Sequence, residues 1–437
     1  MKRRLLPTLM TLVLVCALPI WAAFVTSGDV TNPLVETAEA TESTLVDVSL
    51  PGGLKRAIEA GSSVRLTDDI HISETLMVTK SLTLDLNGFM LWHGSQDYGS
   101  VTQVDAGATL TLTDSGNGSK TYPFKKNAEW GYWEYHVSQG DTRFEGGIIA
   151  GGNAHAKLDD GNGGGIHVAK GGTFIMEKGK IIGCQADKNG GGVYVEDGGK
   201  FIMNGGEING CVTYSGDKGG NVYVGAEAVF QMSGSARITE CVARASSGGG
   251  VYVAENGTFT MSGSSAIDNC KASSGGAVYN AGTFTMRDNS RIVDCIYVNS
   301  IAGGGGVHNK GTFNVEGGSI TGSVNDYNRE QSSDDICIEG TLNAGITIAC
   351  NVNVVDGGTI SKGTFTGRVW IGSGGTISNG KFENTVINYT GTITGGEFTG
   401  EVKSDQGKID GGTFQGSVTS SSYNAIISDG NFHGTVT

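Results

Sequence analysis

Hydrophobic and polar positions repeat with a period of 27 to 29 residues between residues 163 and 323. Each unit opens with glycines and a Val-Tyr-Val-type triplet, as in the sequence GGGVYV at residues 190–195. A phenylalanine follows 9 or 11 residues after the first glycine, then an isoleucine, and three residues later a cysteine. The repeated residues are Phe174, Phe201, Phe230, Phe259, Phe284 and Phe313; Ile181, Ile208, Ile238, Ile267, Ile292 and Ile320; and Cys184, Cys211, Cys241, Cys270 and Cys295, with Ser323 in the sixth unit.

Short runs of alternating apolar and polar residues, separated by glycine-rich turns, make up each unit. Such alternation has the period of a β-strand, and the region lacks the 3.6-residue period of a crossover helix. A chain that completes one coil per unit places equivalent side chains about 4.8 Å apart and gives inner backbone groups partners on neighbouring coils. We therefore predict an all-β fold, a single-stranded parallel β-helix. This solenoid is expected to be right-handed, with long-coil repeats over 163–323.

A shorter unit of 16 to 18 residues occupies residues 357–437. It contains an isoleucine, a phenylalanine two residues after a glycine, and a valine four residues after the phenylalanine. These residues are Ile360, Ile377, Ile393, Ile409 and Ile427; Phe365, Phe382, Phe398, Phe414 and Phe432; and Val369, Val386, Val402, Val418 and Val436. The pattern predicts short-coil repeats with a smaller cross-section. Residues 324–356 are predicted to form a transition of loops and strands.

The segment 41–118 is predicted to cap the N-terminal end of the solenoid and to form its first coils. Residues 54–60 have the pattern of a short amphipathic helix, and Gly61 is a typical helix stop. Strand-type alternation follows at 64–66, 76–78 and 82–86. A solenoid exposes open strand edges at its ends, so we expect this helix to cover the first of them.

Residues 1–40 have the features of a signal peptide followed by a linker. Basic residues at 2–4 precede a largely apolar run over 9–18, which is shorter than the roughly 20 residues needed to span a bilayer. Small residues that suit signal peptidase occur at 22–23 and at 38–40. The sequence is compatible with cleavage at either place. We expect a secreted, extracellular protein at the cell surface, with no membrane span in the mature chain.

The charge balance limits the class of partner. Acidic residues number 44 and basic residues 30, which gives a net charge of −14. Nucleic acids and anionic membranes bind basic surfaces, so we expect no nucleic-acid partner. The 73 glycines are accompanied by only 5 prolines, and hydrophobic residues make up 38% of the chain. This composition favours a glycine-rich repeat over a disordered linker.

Seven cysteines follow the predicted signal peptide, and five of them share the repeat position of Cys184. Stacked coils bring equivalent Cα atoms within disulfide range, and secretion permits oxidation. The odd count and the replacement by Ser323 favour a column of buried, reduced thiols instead. Because neither a CxxC sequence nor a Cys/His spacing indicates zinc, we expect no metal site and no cofactor.

Several of these sequences carry a family resemblance. GGGVYVAENGTFTM at 248–261 and SLTLDLNG at 81–88 resemble the right-handed β-helix repeats of large bacterial surface proteins. GGAV at 275–278 and FIMN at 201–204 are more loosely similar to the repeats of polymorphic outer-membrane adhesins. The resemblance covers roughly residues 50–437 and includes no catalytic motif. It implies a surface location and a structural or adhesive role.

Two groups of aromatic residues are candidate ligand-binding sites. The first is a column of outward-facing tyrosines, Tyr194, Tyr223, Tyr252 and Tyr279, with His167 and His308 at its ends. Such a column is either a stacked ladder that stiffens one face or a track for sugar rings. The second lies in an aromatic-rich insertion, residues 119–162, and consists of Trp130, Tyr132, Trp133 and Tyr135. The insertion either covers the side of the solenoid or presents a binding surface.

These observations favour a non-enzymatic extracellular surface protein, a structural stalk or adhesin that contacts glycans or host surface molecules. The alternative is a polysaccharide lyase or glycoside hydrolase on a β-helix scaffold, which requires carboxylates paired on one face. Adjacent acids at 68–69, 159–160 and 334–335 point to opposite faces of a strand and are typical of solvated turns. Arg237 and Arg291 share a repeat position, but the sequence places no carboxylate cluster beside them.

Overall fold

The structure of this chain is a computed structural model, and its described residues belong to the unit Thr44–Thr437. The described residues are 45–437 except 95–97, 137–139, 141, 158–159, 215–220, 299–302, 326–334, 421 and 423. The predicted signal peptide and linker, residues 1–40, lie outside them. So do residues 326–334 of the predicted transition.

The described chain winds through four parallel β-sheets, and from Ile148 to Asn325 each coil uses all four in a constant order. We name them the tyrosine, phenylalanine, isoleucine and short-strand sheets. The tyrosine sheet consists of Leu76–Val78, Thr102–Val104, Ile166–Val168, Val193–Val195, Val222–Val224, Val251–Val253, Val278–Asn280, Val307–Asn309, Ile336–Ile338, Val352–Val354, Val369–Ile371, Val386–Asn388, Val402–Ser404 and Val418–Thr419. The phenylalanine sheet consists of Val46–Val48, Val64–Leu66, Leu82–Asp85, Thr109–Thr113, Thr173–Met176, Lys200–Met203, Val229–Met232, Thr258–Met261, Thr283–Met286, Thr312–Val315, Thr341–Ile348, Thr359–Phe365, Thr376–Ile377, Lys381–Phe382, Thr392–Ile393, Glu397–Phe398, Lys408–Phe414 and Ile426–Phe432.

The other two sheets complete the long coils. The isoleucine sheet consists of Ile70–Ile72, Met90–His93, Ile148–Ala150, Lys180–Ile182, Glu207–Asn209, Arg237–Thr239, Ala266–Asp268, Arg291–Val293 and Ser319–Thr321. The short-strand sheet consists of Asn153–Ala154, Gln185–Ala186, Val212–Thr213, Val242–Ser247, Lys271–Ser274, Ile296–Tyr297 and Val324–Asn325. This all-β parallel solenoid confirms the predicted fold class.

Register places equivalent residues of successive coils directly beside one another. Phe174 pairs with Phe201, which pairs with Phe230, and the same alignment continues to Phe313. Neighbouring phenylalanine rings are stacked with centroids 4.6 to 4.9 Å apart. These rings are fully buried, so the core of the long coils is a continuous file of phenylalanine beside files of isoleucine and valine. Burial of each such side chain contributes about 1.5–3 kcal/mol.

The residue before each of the five core cysteines, and before Ser323 in the sixth unit, lies in the left-handed region of backbone conformation. These residues are Gly183, Gly210, Glu240, Asn269, Asp294 and Gly322, with φ between 52° and 70°. The conformation turns the chain from the isoleucine sheet into the short-strand sheet, and it favours glycine, asparagine and aspartate. Glu240 is the unusual member of this group, and its carboxylate contacts Trp133 and Lys126 of the insertion.

The five core cysteines are buried thiols, as the sequence predicts. Burial raises the pKa of Cys211, Cys241, Cys270 and Cys295. A thiol with a raised pKa stays protonated and reacts slowly. Ser323, which replaces the sixth cysteine, is also buried. The five cysteines and Ser323 therefore act as small side chains that fill the core.

The short coils use only two of the sheets among the described residues. Their isoleucine and phenylalanine strands both belong to the phenylalanine sheet, and their valine strands continue the tyrosine sheet. Ile377 pairs with Ile393, and Phe382 pairs with Phe398. The rings from Phe365 to Phe432 stack at 4.7 to 5.0 Å. The cross-section is smaller because the isoleucine and short-strand sheets have no strands in these coils.

A helix, Pro51–Ala60, packs at the N-terminal end of the described unit. It begins three residues earlier than the sequence pattern predicts and ends at Gly61, whose φ of 80° permits the closing turn. Leu54 and Ile58 face the main core. The strand Val46–Val48, which the sequence analysis missed, pairs with Val64–Leu66 and extends the phenylalanine sheet. The three strands predicted after the helix form as expected.

Candidate functional site

The aromatic-rich insertion forms a small antiparallel sheet on the side of the solenoid. Its strands are Thr121–Lys126, Trp133–Tyr135 and Thr142–Glu145, with the first at the centre. Alternate residues of the central strand, Tyr122 and Phe124, are buried. They pack on residues of the isoleucine sheet and form a second hydrophobic cluster. The insertion is thus held by a core of its own.

Trp133 docks the insertion onto the left-handed column that precedes the core cysteines. Its backbone N–H donates to the Gly210 carbonyl at 2.9 Å, and a Cβ added at Gly210 would lie only 2.0 Å from the indole ring. Its indole N–H donates to the Glu240 carboxylate at 2.7 Å, and Lys126 pairs with the same carboxylate at 2.9 Å. Glycine at 183 and 210 therefore makes room for the insertion, and Glu240 is the partner that completes the dock.

Tyr132 and Trp130 extend this dock along the short-strand sheet. Tyr132 is buried and packs against Val212 and Val242. The Tyr132 hydroxyl lies 3.1 Å from the Tyr214 oxygen and donates to it, because the single Tyr214 proton is donated to Gln185. The Arg244 guanidinium lies 3.9 Å above the Trp130 ring, a cation–π contact. These contacts assign both aromatics to attachment of the insertion.

Asp69 anchors the other side of the insertion, so the expectation of a solvated pair at 68–69 holds for the exposed Asp68 and is wrong for Asp69. Tyr122 donates to its carboxylate at 2.5 Å, and Lys120 lies 2.8 Å from it. Burial raises the pKa of Asp69, but the hydrogen bonds from Lys120 and Tyr122 outweigh burial and hold the pKa below its ordinary value. Burial and the neighbouring Asp69 charge raise the pKa of Tyr122. The pair therefore consists of a carboxylate and a neutral phenol.

A cleft of about 570 Å³ separates the insertion from the coils. Its described lining is Trp92, His93, Gly94, Glu134, Tyr135, His136, Gly151, Asn153, Gly183 and Gln185. The size is in the range of pockets that hold small ligands. This cleft is the candidate functional site, because it combines aromatic surface with several polar groups in one concave place.

Two aromatic rings form the apolar part of the cleft. The Tyr135 and Trp92 rings are 6.0 Å apart and inclined by 59°. Trp92 is held from behind by His71, with ring centroids 5.3 Å apart, and Tyr135 packs on Phe124. Burial is the main cause that raises the pKa of Tyr135, and the Asp69 charge adds to it. Both rings are half-buried, so part of each is exposed toward the cleft.

The polar part of the cleft comes from both of its walls. On the insertion, Glu134 accepts a hydrogen bond from the Asn127 amide at 3.3 Å and lies 3.5 Å from His136. On the coils, Gln185 accepts a hydrogen bond from the Tyr214 hydroxyl at 2.7 Å. Carboxylate, imidazole and amide groups held in this way are suited to hydroxyl-rich ligands, which both donate and accept hydrogen bonds.

The tyrosine column lies on a separate face. Tyr194, Tyr223, Tyr252 and Tyr279 are stacked with centroids 5.0 to 5.5 Å apart. The flanking valines face the main core, as expected, and the tyrosines pack as their own cluster outside it. Tyr223 and Tyr252 are each only 7% exposed, because neighbouring rings cover their faces. Burial raises the pKa of all four hydroxyls. This geometry is that of a stiffening ladder, since a sugar ring would need an uncovered aromatic face.

The structure therefore separates the predicted site residues. Tyr135 lines the cleft, while Trp130, Tyr132 and Trp133 attach the insertion and the four tyrosines form the ladder. Sequence reasoning missed Trp92, which reaches the cleft only because the insertion folds back over the first coils. Its position in MLWH, at 90–93, carried a usable signal, since Trp is uncommon on an outer strand position of this repeat.

Arg237, which shares its repeat position with Arg291, is held in an ion pair. Its guanidinium donates two hydrogen bonds to Asp268 on the next coil, at 2.7 and 2.8 Å. Thr239 donates a third to the same carboxylate at 2.6 Å. This arrangement joins neighbouring coils, and the Asp268 carboxylate balances the positive charge of the guanidinium. The acidic residues Asp159 and Asp334 lie outside the described residues.

Comparisons with known proteins leave the site to be interpreted from its geometry. No family model, curated protein or solved structure matches the chain. Among the described residues, helices with the length and apolar character needed to cross a bilayer are absent.

Proposed function

We propose that this chain is a non-enzymatic extracellular surface protein, a β-helical stalk or adhesin whose cleft binds a glycan residue, with glycans or host surface molecules as partners. The observation that carries the proposal is the pairing of Trp92 and Tyr135 beside Glu134, His136 and Gln185. Sugar rings present apolar C–H faces and hydroxyl edges, and this cleft offers aromatic surface and hydrogen-bonding groups to both. The basic start and apolar run of residues 2–18 support export.

The alternative of a glycoside hydrolase has weaker support. Hydrolysis of a glycosidic bond uses two carboxyl groups about 5–9.5 Å apart. Glu134 is the carboxylate among the described residues that line the cleft. A single acid next to an imidazole suits the recognition of hydroxyl groups better than this two-carboxylate chemistry.

The test combines a glycan array with an assay for released reducing sugar. The secreted chain is expected to bind a restricted set of glycans and to release no sugar from them. Tyr135→Ala and Trp92→Ala should each weaken binding about tenfold, since an aromatic contact contributes about 0.5–1.5 kcal/mol beyond the buried area and 1.4 kcal/mol is tenfold.

Tyr389→Ala is the matched control, because Tyr389 is an exposed tyrosine on the short coils, 48% exposed and remote from the cleft in sequence. Its binding should equal that of the unmodified chain. Binding that survives both cleft variants, with unchanged thermal unfolding, would place the glycan elsewhere. Sugar release that Glu134→Gln abolishes would establish the hydrolase instead.

A further inference from the structure

Three side chains with metal-binding atoms converge at the end of the tyrosine column that lies nearer the C-terminus. They are His308, Cys337 and Glu339, and one ligand atom of each lies within 4.8 Å of those of the other two. His308 is 4% exposed and Cys337 is fully buried. Imidazole, thiol and carboxylate groups gathered in a buried place are the donor set of a zinc site.

The coil register creates this cluster. His308 and Cys337 are direct partners on adjacent strands of the tyrosine sheet, where they continue the column of outward-facing tyrosines. Glu339 directly follows this strand, Ile336–Ile338, and its carboxylate reaches His308 Nε2 at 2.7 Å. Because the ligands come from neighbouring coils 29 to 31 residues apart, no short Cys/His spacing marks the site in the sequence. The expectation of no metal site rested on such spacings.

Surrounding groups hold the ligands in position. One oxygen of Glu339 lies 2.7 Å from His308 Nε2, and the other lies 2.8 Å from Lys310 Nζ. Ser274 Oγ contacts His308 Nδ1, so Nε2 is the nitrogen directed at the cluster. The Tyr279 ring, 5.0 Å from the imidazole, covers its other side. Metal-binding histidines in proteins use such a partner on the second ring nitrogen to fix their orientation.

We propose that His308 Nε2, Cys337 Sγ and one Glu339 oxygen bind a single Zn²⁺ ion, with a fourth position open to water. Binding replaces the His308–Glu339 contact with two bonds to the metal. Cys337 releases its proton to solvent and binds as a thiolate. His308 gives up the Nε2 proton that Glu339 accepts and binds as the neutral tautomer, with its proton on Nδ1 toward Ser274 Oγ. No electron is transferred. Lys310 keeps the second Glu339 oxygen and balances its charge. Soft thiolate together with imidazole favours zinc over magnesium or calcium.

A second cluster at the opposite end of the column provides an internal comparison. Asp160, His167 and Glu196 also place ligand atoms within 4.8 Å of one another. This cluster lacks a thiol, and Asp160 is exposed. A signal that depends on sulfur therefore reports the His308 site alone, even if a metal ion also binds beside His167.

Cobalt supplies that signal, because a Co²⁺–thiolate bond gives a charge-transfer absorption in the near ultraviolet. The full secreted chain, reduced and freed of metal by a chelator, is titrated with Co²⁺ and then with Zn²⁺. We expect the absorption to saturate at one equivalent of Co²⁺ and to disappear when one equivalent of Zn²⁺ displaces it. Ser274→Ala should weaken zinc binding about 10–100-fold, as loss of a ligand-orienting partner does.

Two variants test the ligands and a third is the control. Cys337→Ser should abolish the absorption. His308→Tyr should also abolish the absorption. The introduced tyrosine continues the tyrosine column, so we expect the fold to be preserved. Cys295→Ser should leave it unchanged, because Ser323 already occupies that core position on the next coil. An absorption that persists in Cys337→Ser, or that never appears in the unmodified chain, would overturn the proposal. Zinc uptake that none of the variants changes would indicate an adventitious ion only.

Discussion

At the scale of single residues, the Arg237–Asp268 pair shows how adjacent coils are joined outside the core. Burial raises the pKa of Asp268, but hydrogen bonds from Arg237, Thr239 and Asn269 outweigh it, so the pKa is lower than in the unfolded chain. A carboxyl group with a lowered pKa stabilises the fold above its unfolded pKa, about 3.9. That stability is lost as the pH falls from about 4 through the lower, folded pKa.

We predict that Asp268→Asn lowers the free energy of unfolding at pH 7 by about 1.5–3 kcal/mol, the value of hydrogen bonds to charged groups. The difference between variant and unmodified chain should shrink below pH 4. Urea unfolding at pH 7 and pH 3 measures both effects. Glu316→Gln is the control, since Glu316 and Arg287 form an exposed pair, and such pairs contribute about 0–1 kcal/mol. An equal loss at both pH values would contradict the assigned carboxylate role.

At the scale of elements, attachment of the insertion depends on glycine in the left-handed column. Gly210 has a φ of 55°, and a Cβ there would lie 2.0 Å from Trp133. We predict that Gly210→Ala detaches the insertion sheet while the coils stay folded. Limited proteolysis should then cleave within 119–147, and the thermal unfolding of the coils should change little.

Gly322→Ala provides the matched control for this prediction. Gly322 occupies the same column with a φ of 70°, but a Cβ there would meet the end of the Asp294 side chain, which can move. Gly322→Ala therefore introduces the same kind of backbone strain as Gly210→Ala but no clash with Trp133. Proteolysis within 119–147 that increases equally in both variants would show that strain alone loosens the insertion.

Elements can be predicted from the sequence where a residue type repeats at a fixed position. Contacts between segments that are distant in the sequence cannot. The phenylalanine and isoleucine files follow directly from the 27- to 29-residue repeat, because each unit returns the same core positions to the same strands. The aromatic surroundings of Tyr135 in the sequence predict a candidate ligand-binding residue. They do not predict Trp92, since its approach to Tyr135 depends on how the insertion folds over earlier coils. Repetition encodes the scaffold, whereas single tertiary contacts build the cleft.

At the scale of the whole molecule, each coil contacts mainly its two neighbours, so stability is close to a sum of coil and interface terms. The file of phenylalanines runs through these interfaces. Phe259 is fully buried between Phe230 and Phe284, at ring distances of 4.8 and 4.9 Å. Phe432, in the last described coil, is half-buried and stacks on Phe414 at 4.8 Å. The same substitution should therefore have different consequences at the two places.

We predict that Phe259→Ala costs about 3–5 kcal/mol, as loss of a buried phenylalanine does, and that Phe432→Ala costs less. Hydrogen exchange is the decisive measurement, because nearest-neighbour coupling confines the damage. In Phe259→Ala, amide exchange should accelerate in the strands Val229–Met232 and Thr283–Met286 on either side. Exchange in the short coils, such as Thr392–Ile393, should stay near that of the unmodified chain. Uniform acceleration along the chain would mean that the coils unfold as one cooperative unit rather than as a linear array.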